Sequence, residues 1–221
     1  MRVRRSLFLA VCGVAALVWA DGAGARQAVE RAAPPAIGQD SLPAQVAVCF
    51  VPAQKCDAGI VAAIESARHT IRVQAYGFTA APILTALAAA KARGVDVAVI
   101  LDKSNDPEVR HGGHRTTSAR ALNSGAPFTA AAGIPTWIDH TVAIAHNKVI
   151  VIDGHLVIGG SYNYTASAEH RNAENVTFID SQDIAALYLT NWDGRRAVSR
   201  LYEPPSADNA RAVAASALSD R

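Results

Sequence analysis

The stretch from His146 to Asn163, HNKVIVIDGHLVIGGSYN, constrains the fold more than any other part of the chain. It reads as two apolar strands joined by Asp153-Gly154, a pair that favours a tight two-residue type I′ hairpin turn. That turn pairs Ile152 with His155. It sets Lys148 opposite Gly159, and His146 opposite Ser161. Opposed residues share a face, so His146, Lys148, Ser161 and, two residues on, Asn163 collect at the open end of the hairpin. Gly159 leaves room beside Lys148. The valines and isoleucines between read as a strand pair buried on both faces. An imidazole, an ammonium, a hydroxyl and a carboxamide in one patch suit an anionic, oxygen-rich ligand such as phosphate.

Before this hairpin, strand and helix signals alternate. Ala44–Val51, Ile71–Tyr76 and Val95–Leu101 read as strands. A helix capped by Asp57 and one capped by Thr79 separate them, the second stopped by Gly94. Thr117–Asn123 suggests a short helix, Gly125–Gly133 a small-residue connection and Pro135–Ile138 a strand. After the hairpin come a short helical segment over Tyr164–His170, a strand over Val176–Ile179 and a helix capped by Ser181. The pattern predicts an α/β domain, a mixed sheet flanked by helices on both faces, over residues 44–203.

Residues 1–25 read as a signal peptide. Arg2, Arg4 and Arg5 precede an apolar run, Leu7–Ala20, that is short for a membrane span, and Ala23-Gly24-Ala25 offers a cleavage site. An uncleaved anchor is the alternative. Arg4-Arg5 also has a twin-arginine flavour, which leaves the export route open. Residues 26–43 read as a linker and 204–221 as a flexible tail. The full chain holds 21 basic and 19 acidic residues; residues 1–25 hold three arginines and one aspartate, leaving 18 of each. Nucleic-acid binding therefore has to rest on local basic clusters, not bulk charge. Export places the mature chain in the periplasm or outside the cell, with no stable membrane association after cleavage. Cys49 and Cys56, closing a short loop in an exported chain, suggest a disulfide, with two free buried thiols as the alternative. His111 and His114 lack a nearby carboxylate or cysteine, so no metal site is assigned.

His146-Asn147-Lys148, four residues, Asp153, six residues, then Gly160-Ser161-Tyr162-Asn163 matches H-x-K-x4-D-x6-G-S-x-N without a gap. That spacing resembles the phospholipase D superfamily. Ile71–Thr79, Ala92–Val97 with Leu101–Ser104, Ala168–Glu169 with Asn172–Asn175, and the Cys49–Cys56 segment are similar to its small exported bacterial endonucleases. The resemblance implies a metal-independent phosphodiesterase with no cofactor. On this resemblance it would be a non-specific endonuclease that cleaves DNA through a phosphohistidine, with the choice between DNA and RNA left open. His146 and Lys148 would be catalytic, with Lys148, Ser161 and Asn163 holding phosphate. Glu174 resembles the carboxylate that holds the histidine. Asp153 and Gly160 read as structural members of the motif. No other histidine has a lysine two residues on, so a site needing two motif copies implies a homodimer. The alternatives are a hydrolase of lipid phosphodiesters and a non-catalytic nucleic-acid-binding protein.

Overall fold

The computed structural model describes residues 42–106, 110–111, 114–115 and 124–204. The signal peptide, nearly all of the linker, the Thr117–Asn123 helix and the tail beyond Pro204 lie outside the described residues. So do the side chains of His111 and His114.

One sheet carries the fold. Its strands are β1 (Gln45–Val51), β2 (Thr70–Ala75), β3 (Asp96–Asp102), β6 (Thr136–Asp139), β7 (Lys148–Ile152), β8 (Leu156–Gly160), β9 (Glu174–Asp180) and β10 (Arg200–Leu201). The spatial order is β1-β9-β8-β7-β2-β3-β6-β10. Strands β2, β3 and β6 run parallel, and every other neighbouring pair is antiparallel, so the sheet is mixed. Two short strands, β4 (Arg110–His111) and β5 (His114–Arg115), pair apart from it.

Among the described residues four helices cover one face: α1 (Cys56–Ser66), α2 (Ala81–Ala92), α3 (Gly125–Ala131) and α4 (Ala166–His170). Ile60 and Ile64 of α1, with Ile83 and Leu87 of α2, pack on Ile71, Val73 and Ile150. Each such side chain contributes roughly 1.5–3 kcal/mol by leaving water. Helix α5 (Gln182–Val198) covers the other face, where Ala185 meets Val151 and Val157. Its Trp192 is 4% exposed and donates from Nε1 to the Val73 carbonyl at 3.0 Å. Strand β3 is buried from Val97 onward, as the central strand of a sheet covered on both faces must be. Cys49 and Cys56 are joined in a disulfide that ties the edge strand β1 to the start of α1.

Several boundaries differ from the sequence reading. Residues 125–131 are helical, because Ala126 and Thr129 bury one side of a turn that composition alone presents as a loop. Asp57 lies inside α1, whose N-cap is Lys55, and its amide donates to Glu169. Ala80, not Thr79, precedes α2.

Candidate active site

The carboxyl ends of β2 and β3 and the start of β7 meet at one edge of the sheet. Ala75 pairs with both Leu101 and Lys148. Tyr76, Asp102 and Lys148 therefore emerge side by side, in the crevice where parallel strands commonly present functional groups.

The hairpin itself turns differently from the two-residue reading. Ile152 pairs with Leu156, not His155, across a three-residue turn, Asp153-Gly154-His155. Asp153 and Gly154 take φ of 50° and 68°. The Asp153 carboxylate accepts from the backbone N–H groups of Arg68, His69 and Thr70 at 2.8–2.9 Å. These bonds lock the turn onto the α1–β2 connection, and the register follows. Continued to the open end, it sets Lys148 across from Gly160 rather than Gly159. Burial pushes the Asp153 pKa up, and the three amides more than reverse this, leaving it below the usual carboxylate value.

Strand parity would then send Ser161 to the face opposite Lys148. Gly160 prevents this. Its φ of 138° is open to glycine and strained for other residues, and a Cβ there would stand 2.3 Å from the Asn175 carbonyl oxygen. Past that kink Ser161 donates to Glu174 Oε2 at 2.5 Å and accepts from the Asn175 amide at 3.1 Å. Asn172 Nδ2 donates to the other Glu174 oxygen at 2.8 Å. Asn163 Oδ1 faces the Gly77 amide at 3.4 Å.

Lys148 is 7% exposed. Its Nζ donates to the His146 carbonyl at 2.8 Å and lies 5.3 Å from the Tyr76 ring centre. Burial lowers its pKa from the ordinary lysine value, while the Glu174 charge acts the other way. A cation over an aromatic face gains about 0.5–1 kcal/mol in the open and about 2 kcal/mol when desolvated. The His146 ring is exposed and lies 4.7 Å from the Tyr76 ring, tilted by 58°. Ala145 donates to the buried Asp102 carboxylate at 2.7 Å, which anchors the chain entering His146. Asn147, between the two motif residues, donates to the buried Gln74 at 2.6 Å.

His146, Lys148, Ser161, Glu174 and Asn163 thus gather at one sheet edge, while Asp153 sits at the far end of β7. Within the chain Glu174 bonds Ser161 and Asn172 and makes no hydrogen bond to His146. Tyr76, Asp102, Asn105 and Asn172 were not singled out as functional from the sequence. Their signal was faint: polar residues ending or entering apolar strands. A cleft of about 640 Å³ opens beside Tyr76, lined by Thr79, Ser104, Ser124, Asn163 and Asn172 among others. A smaller cavity of about 320 Å³ lies by His146 and Asn147, walled by the Asp139–Arg195 ion pair. Among the described residues no three His, Cys, Asp or Glu side chains are grouped to hold a metal ion.

Comparison with known proteins adds to this geometry. Residues 60–194 match the family model described as cardiolipin synthase, PLD-like domain. The chain is 42% identical over 153 residues to the phospholipase D of Rickettsia conorii, covering 69% of this chain and 70% of that protein. The crystal structure of the phospholipase D family member Nuc from Salmonella typhimurium superposes with a TM-score of 0.64 at 34% identity, covering 73% of this chain and 99% of that one. NucT from Helicobacter pylori shares the fold, with a TM-score of 0.61 at 19% identity over 72% of this chain and all of that one.

Proposed function

The chain belongs to the phospholipase D superfamily and is a phosphodiester hydrolase of it, and we propose that its substrate is nucleic acid, cut endonucleolytically without a metal cofactor. The observation that carries this reading is the cleft that Tyr76 and Asn163 line, next to the ring that contacts His146 and Lys148. The cleft's hydroxyl and carboxamide groups can hydrogen-bond a sugar–phosphate chain, and Tyr76 offers an aromatic surface beside them.

In the proposed reaction a His146 ring nitrogen attacks phosphorus. A P–N bond forms as the P–O bond to the leaving alcohol breaks. His146 of a second copy gives that oxygen its proton, then takes one from the water that displaces the imidazole. A positioned acid contributes about 10²–10⁴-fold to breaking such a bond, and the covalent intermediate divides the displacement into two steps. Lys148 and Asn163 bind the phosphate oxygens, where charge builds up in the transition state, and Ser161 joins them by turning its one hydroxyl proton away from Glu174. Asp153 and Gly160 act at a distance, by setting the turn and the kink that place these groups.

The homodimer belongs to the same proposal. Each chain holds one H-x-K motif. Glu174 accepts from Ser161 and Asn172 of its own chain, and in the proposed dimer it would meet the imidazole of the second chain. The signal-like residues 1–25 and the disulfide favour an oxidising compartment, the periplasm or the exterior.

The name phospholipase D on a 42% identical relative favours a second reading, hydrolysis of lipid phosphodiesters. Incubating purified mature protein with plasmid DNA and, separately, phospholipid vesicles, both in excess EDTA, separates the two. Nicked and linear plasmid with intact lipid is the expected result. Lipid turnover without DNA cleavage would assign the second reading, and DNA cleavage abolished by the chelator would end the metal-free one.

A further inference from the structure

Tyr76 stands where the two groups of the H-x-K motif meet, although it lies 70 residues before His146. Its ring is 4.7 Å from the His146 ring and 5.3 Å from Lys148 Nζ. The same Nζ donates to the His146 carbonyl. The aromatic face is thus one side of a closed arrangement: imidazole, phenol ring, ammonium and the backbone of the histidine.

The backbone on both sides of this contact is clamped from one place, the end of β3. Buried Asn105 donates from Nδ2 to the Tyr76 carbonyl at 2.8 Å and to the Asp102 carbonyl at 3.1 Å. Its own carbonyl accepts from Ser124 Oγ at 2.9 Å. Asp102 uses one carboxylate oxygen on the Ser104 amide and the other on the Ala145 amide. One short turn therefore holds the chain at Tyr76 and the chain at Ala145, immediately before His146. An exposed histidine on a segment without regular structure needs such restraint, because its rotamers are otherwise free.

We infer that Tyr76 is a positioning residue for His146 and Lys148, acting through its ring face rather than its hydroxyl. The π face attracts the ammonium without consuming an N–H donor, so the remaining Lys148 protons stay available to phosphate oxygens. The ring also limits the imidazole to orientations tilted against it, which narrows the line of attack on phosphorus. Misplacing a reacting group by about 1 Å costs on the order of 10²-fold in rate.

The inference rests on the proposed phosphodiesterase chemistry for its kinetic consequence, but its geometry is tested without any turnover. The His146 ring protons, identified by their loss in His146→Asn, lie in the ring current of Tyr76. Their NMR shifts should move in Tyr76→Leu and in Tyr76→Met, and stay near the wild-type position in Tyr76→Phe. On bis-p-nitrophenyl phosphate, Leu and Met should lower kcat by about 10²-fold with KM within about twofold, while Phe stays within about threefold of wild type. The unbranched Met variant serves if Leu lowers the melting temperature enough to confuse the comparison. Wild-type kcat in Leu or Met would overturn the inference. So would a loss in Phe as deep as in Leu, which would give the role to the hydroxyl. An inactive wild type with the expected shift pattern would instead fault the proposed function and leave the contact standing.

Discussion

Lys148 has to be buried against Tyr76 and still be charged when phosphate arrives. Burial depresses its pKa from 10.5, and the Glu174 carboxylate opposes that depression. The active form is the ammonium, so activity should fall as pH rises through the lowered value, on an alkaline limb earlier than free lysine would give. Glu174→Gln removes the opposing charge. Its alkaline limb should therefore lie at lower pH than that of the wild type, as a pH–kcat/KM profile will show. An unchanged limb would separate Glu174 from Lys148.

Asp153 illustrates what the hairpin needs as an element. Its folded pKa is depressed, so its stabilisation is complete above the unfolded value near 3.8 and lost as pH falls through the folded one. Asp153→Ala leaves three backbone amides of residues 68–70 without their acceptor and should cost about 2–4 kcal/mol in chemical denaturation. The difference from wild type should shrink towards acid pH. Strand β1 gives a second test. The Cys49–Cys56 loop spans a sequence separation of 7, and its closure is worth about 2.5 kcal/mol in chain entropy. Reduction should lower the melting temperature accordingly.

The same two elements show what was legible in the sequence. Apolar periodicity located the strands and helices because burial on a sheet imposes it. The hairpin register was missed because Asp153 bonds a segment more than 80 residues away, which no local turn rule contains. The gathering of His146, Lys148, Ser161 and Asn163 was anticipated, but by a parity that the Gly160 kink replaces. Tyr76 was hidden because an aromatic residue ending a strand looks like core until its neighbours are known.

At the scale of the molecule, the α/β architecture was readable, whereas the strand order was not. Strand β10, only two residues long, pairs with β6 and carries almost no pattern of its own. The proposed two-chain site makes a quantitative prediction. After subunit exchange with excess His146→Asn chains, activity per wild-type chain should fall in proportion to the wild-type fraction. Constant activity per wild-type chain would mean that one motif suffices. The central claim, a nucleic-acid phosphodiesterase with His146 as nucleophile, is tested most directly by quenching a reaction with a DNA oligonucleotide and mapping the protein by peptide mass. The account predicts a nucleotide adduct on the peptide containing His146. DNA consumed with no adduct there, or with an adduct on another residue, would contradict it.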